Sequence, residues 1–454
     1  EVSVNKNAVN PPAAPQPSPS EHSAAEGNHE NAAIPSPSNR WYHRIGPGLI
    51  TACVVIGPGS ITTSSQVGAK YGFSLNWMIV LAVALMMAFM TMGAKLGAVA
   101  NDTAGTLVAQ RAGRWLSALI GISVFFIAAA FQFGNNLGVY AAFQEFEKPL
   151  SQVPYLKITY LVVAFNALSI AFLFLFHNLY RAVERLMMAF VAVMLISFAI
   201  NLVFSRPAPG EFLMGFVPPV GKLFGGSEST GIDLSLLGLI GTTFVITAAY
   251  YQSYLVRQKG WGLREMANGL LDARVGSVIM ALITIMLMST AGAALRGVEI
   301  QTAKDIAQGL TIFGSMGHAV FCIGLFSAAY SSFLVNSMIG GFILSDNLGL
   351  GSKPSDMVPR LATVAVLLIG MGVALYTISS GSKPMAAIVA GQAATVLASP
   401  LVAGTLLWLC NRRDVMGEHV NGWALNIGGG MGFLMLLAMA AYTAIFKVWP
   451  AIAG

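Results

Sequence analysis

Charge is scarce in this chain: only 10% of its 454 residues are Asp, Glu, Lys or Arg, against 56% hydrophobic, and the mean hydropathy is +0.70. Soluble domains carry about a quarter charged residues, so an ordinary water-soluble fold is excluded. Cysteine is scarcer still. Cys53, Cys322 and Cys410 fall in separate apolar stretches with no ligand spacing between them, which leaves no disulfide framework and reads as small apolar filler. Acidic groups are missing from the middle of every apolar stretch. All nineteen carboxylates lie in the N-terminal tail, in loops or near helix ends, so the mid-membrane acidic or histidine relay of a proton-driven carrier lacks its usual parts. No apolar stretch holds a Ser/His/Asp set, an HExxH motif or paired carboxylates, and an enzyme is not expected. The net charge of +6 comes from basic residues in alternate loops rather than one patch, which argues against a nucleic-acid partner and for a lipid bilayer.

What is present is apolar length. Eleven stretches reach the roughly 20 residues needed to cross a bilayer: 46–70, 76–99, 115–143, 156–176, 186–205, 233–256, 270–295, 311–344, 357–379, 385–410 and 424–448. An all-α polytopic membrane protein is expected. Sixteen of the 25 Lys and Arg, and all but two of the arginines, fall in the tail and after the even-numbered spans. That places the N-terminus in the cytoplasm and, with an odd span count, the C-terminus outside, in a multi-pass plasma-membrane protein. Residues 1–43 are read as a disordered cytoplasmic tail, since their Pro, Ser, Ala, Asn and Glu cannot bury enough surface to offset the entropy of ordering.

The first span is interrupted by Gly57-Pro58-Gly59-Ser60. A proline between glycines removes a backbone donor and loosens the helix, leaving carbonyls that hydrocarbon cannot satisfy. Such a break persists where it lines a polar cavity, and Ser60 with the hydroxyls of Thr62, Thr63, Ser64 and Ser65 favours a cation site. The third span holds Gln132, Asn135 and Asn136 on one stripe, either as interhelical glue or as the lining of a pathway. The sixth carries Gly241-Thr242-Thr243 before Val245 and Thr247, where a local unwinding is plausible. The tenth offers Gln392 at its middle. The charged loop after the sixth span, with Arg257, Lys259, Glu265, Asp272 and Arg274, is read as a solvated cytoplasmic face.

Gly46-Pro47-Gly48 followed by Gly57-Pro58-Gly59-Ser60 resembles the opening of the Nramp family of divalent-metal transporters, which has GPG and then DPGN at this spacing. Ser253-Tyr254-Leu255-Val256 is similar to the family's HSALV segment, and Gln392 with Pro400 matches its tenth helix. The resemblance implies a LeuT-type fold of two inverted five-helix repeats, 44–210 and 211–412, with spans 1 and 6 broken, and an eleventh helix in 413–454. Against the family pattern, Gly57 replaces the aspartate and Ser60 the asparagine. Val245 stands where the metal-binding methionine would be and Thr247 where the histidine would be. Gln132 and Asn135 stand at the acidic pair linked to proton transfer.

These departures look like the Nramp-related magnesium transporter branch. They imply a carrier that moves Mg²⁺, tolerates Mn²⁺, works by alternating access and is not coupled to protons. Gly57 would supply space and a carbonyl, Ser60 a hydroxyl, Thr242 a carbonyl and Gln392 an amide oxygen; Val245 marks the absent soft ligand, and Gln132, Asn135 and Thr247 line the pathway. No resident cofactor is expected beyond the transported ion, and the chain is expected to be a monomer. Two alternatives stand beside this reading: a proton-coupled Mn²⁺/Fe²⁺ carrier of the ordinary Nramp type, and an organic-solute symporter on the same fold.

Overall fold

The computed structural model describes residues 46–144, 158–176, 178–218, 234–300, 306, 314–380 and 395–449. The expected tail over 1–43 and Gln392 lie outside them. Every regular element among the described residues is helical. Among the described residues seven helices are long and apolar enough to cross a membrane, and an eighth span results if the bent pair Pro47–Val55 and Pro58–Tyr71 counts as one. The other three expected spans fall at two shorter apolar helices, 159–175 and 395–411, and at a helix cut in two, Leu234–Thr243 and Ile246–Gln258.

We number the helices used below α1 (Pro47–Val55), α2 (Pro58–Tyr71), α3 (Asn76–Val99), α4 (Ala104–Arg111), α5 (Arg114–Gln144), α6 (Ile158–Leu175), α7 (Leu179–Ser205), α8 (Pro209–Met214), α9 (Leu234–Thr243), α10 (Ile246–Gln258), α11 (Met266–Ala294), α12 (Gly314–Asn347), α13 (Met357–Ser379), α14 (Ser399–Asn411) and α15 (Trp423–Thr443). Two boundaries depart from the hydropathy reading. Helix α7 begins at Leu179 rather than 186, because Asn178 caps it by accepting the Arg181 N–H at 3.2 Å. Helix α11 begins at Met266 rather than 270. In both, a first turn holding a polar side chain, Arg181 in α7 and Asn268 in α11, extends the helix beyond its apolar part, where hydropathy cannot see it.

Helix α12 packs against α5, α7 and α13, while α11 packs against α1, α2 and α3. The two halves of the first broken helix sit between these groups: α1 touches α7, α10, α11 and α12, and α2 touches α5, α9 and α11. The interior is large and apolar, with Phe89, Phe198, Phe244, Phe333 and Phe342 fully buried. Many buried hydroxyls turn back onto their own helix. Thr91 donates to Met87 O at 2.7 Å, Ser277 to Ala273 O at 2.8 Å and Ser337 to Phe333 O at 2.9 Å, which satisfies each hydroxyl without a partner helix. Other polar side chains reach across helices, and several of these lie at the two breaks.

Candidate cation site

The first break follows from one missing hydrogen. Pro58 has no N–H to give to the carbonyl four residues back, that of Val54. Helix α1 therefore ends at Val55, Gly57 is extended (φ −110°, ψ 179°), and α2 starts at Pro58 with its axis turned by 57°. The freed Val54 carbonyl is met by Ser332 Oγ of α12 at 3.3 Å. The Gly57 carbonyl itself accepts the Ile61 N–H at 3.0 Å. One lone pair of the Gly57 carbonyl is thus committed to α2, and further carbonyls at the break belong to the last turn of α1.

The second break contains no proline. Helix α9 ends at Thr243, α10 starts at Ile246, and Phe244 and Val245 lie between them. Phe244 N–H still reaches Ile240 O at 2.7 Å, so the carbonyls exposed by the end of α9 are those of Gly241, Thr242 and Thr243. Thr242 thus occupies the position expected of a carbonyl donor. The interruption falls just beyond the Gly-Thr-Thr run, anchored by Phe244 against Phe89 with ring centroids 5.7 Å apart.

Side chains tie the two breaks together on either side. Thr63 of α2 and Thr242 of α9 share a hydroxyl contact at 3.3 Å. On the other side, Thr51 of α1 lies 2.5 Å from Gln252 Oε1 of α10. The two interruptions therefore face each other, with the C-terminal ends of α1 and α9 and the N-terminal ends of α2 and α10 meeting at one level. Helix C-termini carry partial negative charge and suit a cation.

Helix α5 supplies the polar wall. Asn136 donates to Gln132 O at 2.8 Å and accepts Asn166 of α6 at 2.7 Å, so it is interhelical glue. Asn135 points the other way: its Nδ2 donates to Gln132 Oε1 at 3.3 Å and its Oδ1 lies 3.3 Å from Ser332 Oγ. Gln132 Nε2 is buried with no hydrogen-bond partner. Ser60, Val245 and Thr247 are all buried in or beside the first turns of α2 and α10. Among the described residues no three His, Cys, Asp or Glu side chains converge.

The end of the bundle where α1 begins is closed. Asp272 of α11 accepts Gly46 N–H at 2.7 Å and Gly48 N–H at 2.5 Å, and Gln252 Nε2 lies 3.4 Å away. A Cβ at Gly48 would overlap the Asp272 carbonyl, so the approach of α1 to α11 requires glycine there. Beside it, Lys259 pairs with Glu184 at 2.7 Å and lies over Trp261 at 4.4 Å, and Tyr180 donates to Glu184 at 3.2 Å. Asp346 of α12 gathers Thr103 (2.6 Å), Gly105 N–H (2.9 Å) and Tyr254 (2.5 Å). The loop after α10, expected to be solvated, thus contributes to a seal: Asp272 is fully buried and Lys259 mostly so.

The comparisons bear on this geometry. The model of the family described as "Natural resistance-associated macrophage protein-like", Nramp, matches residues 48–446. This chain belongs to the Nramp family. It is 25% identical over 422 residues to the divalent metal cation transporter MntH of Chromohalobacter salexigens, covering 88% of this chain and 91% of that one. It is 24% identical over 422 residues to MntH of Deinococcus radiodurans, covering 90% of each. A mutant of the Eremococcus coleocola manganese transporter superposes with a TM-score of 0.75 at 19% identity, over 90% of this chain and 87% of that one. Mhp1, a nucleobase-cation-symport-1 family transporter, superposes with a TM-score of 0.53 at 14% identity, over 91% and 96%. The LeuT-type fold with both helices broken stands on these likenesses and on the breaks themselves.

Within this Nramp chain, the structure brings together Gly57, Asn135 and Gln132 around one break and places Thr242 and Val245 at the other. Two residues escaped the sequence reading. Ser332 lay in a run of small polar residues, Ser331-Ser332 and Asn336-Ser337, and the four-residue spacing of Ser332 and Asn336 on an apolar span was the available signal. Asp272 had no local signal, because its partners are 224 and 226 residues away.

Proposed function

We propose that this protein carries Mg²⁺ into the cell by alternating access, tolerates Mn²⁺, and moves no protons with the ion. The observation that supports the reading is the chemistry at the breaks: Gly57 and Val245 offer neither carboxylate nor thioether, while the groups around them are neutral oxygens on Ser60, Thr242, Asn135 and Ser332. A thioether favours softer transition ions, and a valine withdraws that preference. Magnesium sheds water reluctantly and accepts hard oxygen, so neutral oxygens that bond to its water suit it. Gln392 adds an amide oxygen in this reading. With a cytoplasmic N-terminus, the membrane potential favours entry by about 4.6 kcal/mol per 100 mV for a divalent ion. Residues 44–210 and 211–412 are then the two halves that rock about the site.

The names of the relatives favour a second reading, a proton-coupled manganese carrier of the ordinary MntH type. Its proton route would have to run without carboxylates at Gln132 and Asn135. Purified protein in liposomes, loaded with a Mg²⁺ dye or a pH dye, separates the two. We expect Mg²⁺ entry at the same rate with and without a pH gradient; internal acidification that tracks metal entry, or Mn²⁺ uptake without Mg²⁺ uptake, would favour the second.

A further inference from the structure

The room that Gly57 creates is already lined. A Cβ placed on Gly57 would stand 2.7 Å from Ser332 Oγ and 3.1 Å from both Ser332 Cβ and Asn135 Oδ1. Ser332 and Asn135 come from α12 and α5, and both are buried. Around Ser332 Oγ lie two acceptors, Val54 O and Asn135 Oδ1, each 3.3 Å away. A hydroxyl has one hydrogen and two lone pairs, so it can serve only one of the two. The cluster holds three oxygens and a single shared proton, and the Asn135 Nδ2 donor is turned toward Gln132. Such a surplus of acceptors beside a helix break is completed by a cation or by the hydrogens of a cation's water.

We infer that Ser332 is part of the cation site, contributed by α12. With Asn135 and the Val54 carbonyl it takes the place of a side chain at position 57, binds water of the transported ion, and crowds any side chain placed at 57. Gly57 and Ser332 act as one unit. The inference rests on the cation-transport reading but not on which divalent ion is carried. It also bears on selectivity: an aspartate at 57 meets the Ser332 hydroxyl and must displace it, so Gly57→Asp alone disturbs the site rather than simply converting it.

The test is uptake into liposomes of Mg²⁺ and, separately, Mn²⁺, by the full chain and by Ser332→Ala, Gly57→Ala, the double variant, and Ser337→Ala. Ser337 serves as control because its hydroxyl is used on its own helix, to Phe333 O and Leu334 O. Ser332→Ala should raise KM for the transported ion about fivefold, the loss of one hydrogen bond, with the maximal rate nearly kept. Gly57→Ala should lower uptake at least tenfold in the native background and recover several-fold when combined with Ser332→Ala, a coupling that independent sites do not show. As a second readout, Ser332→Cys in a chain carrying Cys53→Ala, Cys322→Ala and Cys410→Ala should react with a methanethiosulfonate reagent, and millimolar Mg²⁺ should slow the reaction. Unchanged KM in Ser332→Ala for the ion that the native protein moves, or labelling at 332 indifferent to both Mg²⁺ and Mn²⁺, overturns the inference. A native protein that moves Mn²⁺ and not Mg²⁺ overturns only the magnesium reading, and the same variants then score Ser332 on Mn²⁺.

Discussion

Asp272 holds Gly48 across the helix boundary: its Oδ2 accepts the Gly48 N–H at 2.5 Å, while its other oxygen accepts Gly46 at 2.7 Å. A helix that begins Gly-Pro-Gly has bare N–H groups at its start and no side chain to cap them. A carboxylate from α11 supplies the cap, and its charge meets the positive end of the α1 dipole. Local sequence thus makes the need, and tertiary packing meets it. In the alternating-access reading proposed above, opening the bundle at this end parts α1 from Asp272.

Asp272→Asn is therefore expected to loosen α1 without unfolding the protein. Replacing a charged acceptor of two buried N–H groups should cost about 1–3 kcal/mol. Two measurements check it: a lower melting temperature in detergent, and faster maleimide labelling of Cys53, which is buried on α1 against Met187, in a Cys322→Ala, Cys410→Ala background. An unchanged labelling rate would show that α1 does not depend on this cap.

The Thr51–Gln252 contact joins α1 to α10 at 2.5 Å. If the two inner half-helices move together, Thr51→Val and Gln252→Leu should each slow transport several-fold, and the double variant should cost little more than either alone. A double-mutant cycle in liposome uptake reads the coupling, expected at about 1 kcal/mol. Additive losses would mean that the two halves move separately.

Val245→Met restores a soft donor at the second break. Because Val245 caps α10 and is buried at the break, a thioether there should raise the preference for Mn²⁺ over Mg²⁺ in competition uptake by about tenfold. The shift should grow when Gly57→Asp and Ser332→Ala are added together. No change in the ratio would remove Val245 from the site.

Exposed charges predict the opposite of pH sensitivity. Arg412 bonds to Asp414, with Arg111 adding a second contact at 2.6 Å, and together they hold the carboxyl at about 2 against an ordinary value of 3.8. The folded value is depressed, so whatever this pair contributes is fully present above pH 3.8 and is lost only as pH falls through about 2. Between pH 5.5 and 8, Asp414→Asn should leave the pH profile of transport unchanged. A profile that shifts on this substitution would give the pair a role it does not have here.

Hydration itself can be probed. Hexaamminecobalt(III) resembles a hydrated Mg²⁺ ion and does not exchange its ligands. It should inhibit Mg²⁺ uptake competitively if the ion is recognised through its water. Failure to inhibit at concentrations well above the Mg²⁺ KM would point to direct coordination.

The parts legible in the sequence are those written locally. Pro58 between two glycines announces the first break, because a missing N–H is a property of one residue. Helical character and the positions of the long spans follow from apolar length. The second break was less legible: without a proline, nothing separated the Gly-Thr-Thr run from Phe244 and Val245, where packing of Phe244 on Phe89 fixes the interruption. Asn136 and Asn135 looked equivalent on one stripe, yet one bonds to α6 and the other faces Ser332. Asp272 read as solvated because charge in a loop usually is, whereas here the partners that bury it lie at the far end of the chain.

The proximity of Gly57 to Ser332 has an evolutionary side. Two positions that compete for the same 2.7 Å cannot drift independently. A lineage that carries aspartate at the first must carry, at the second, a side chain that is smaller or turned away. Relatives arranged by the residue at position 57 should therefore also sort by the residue, or the side-chain orientation, at position 332.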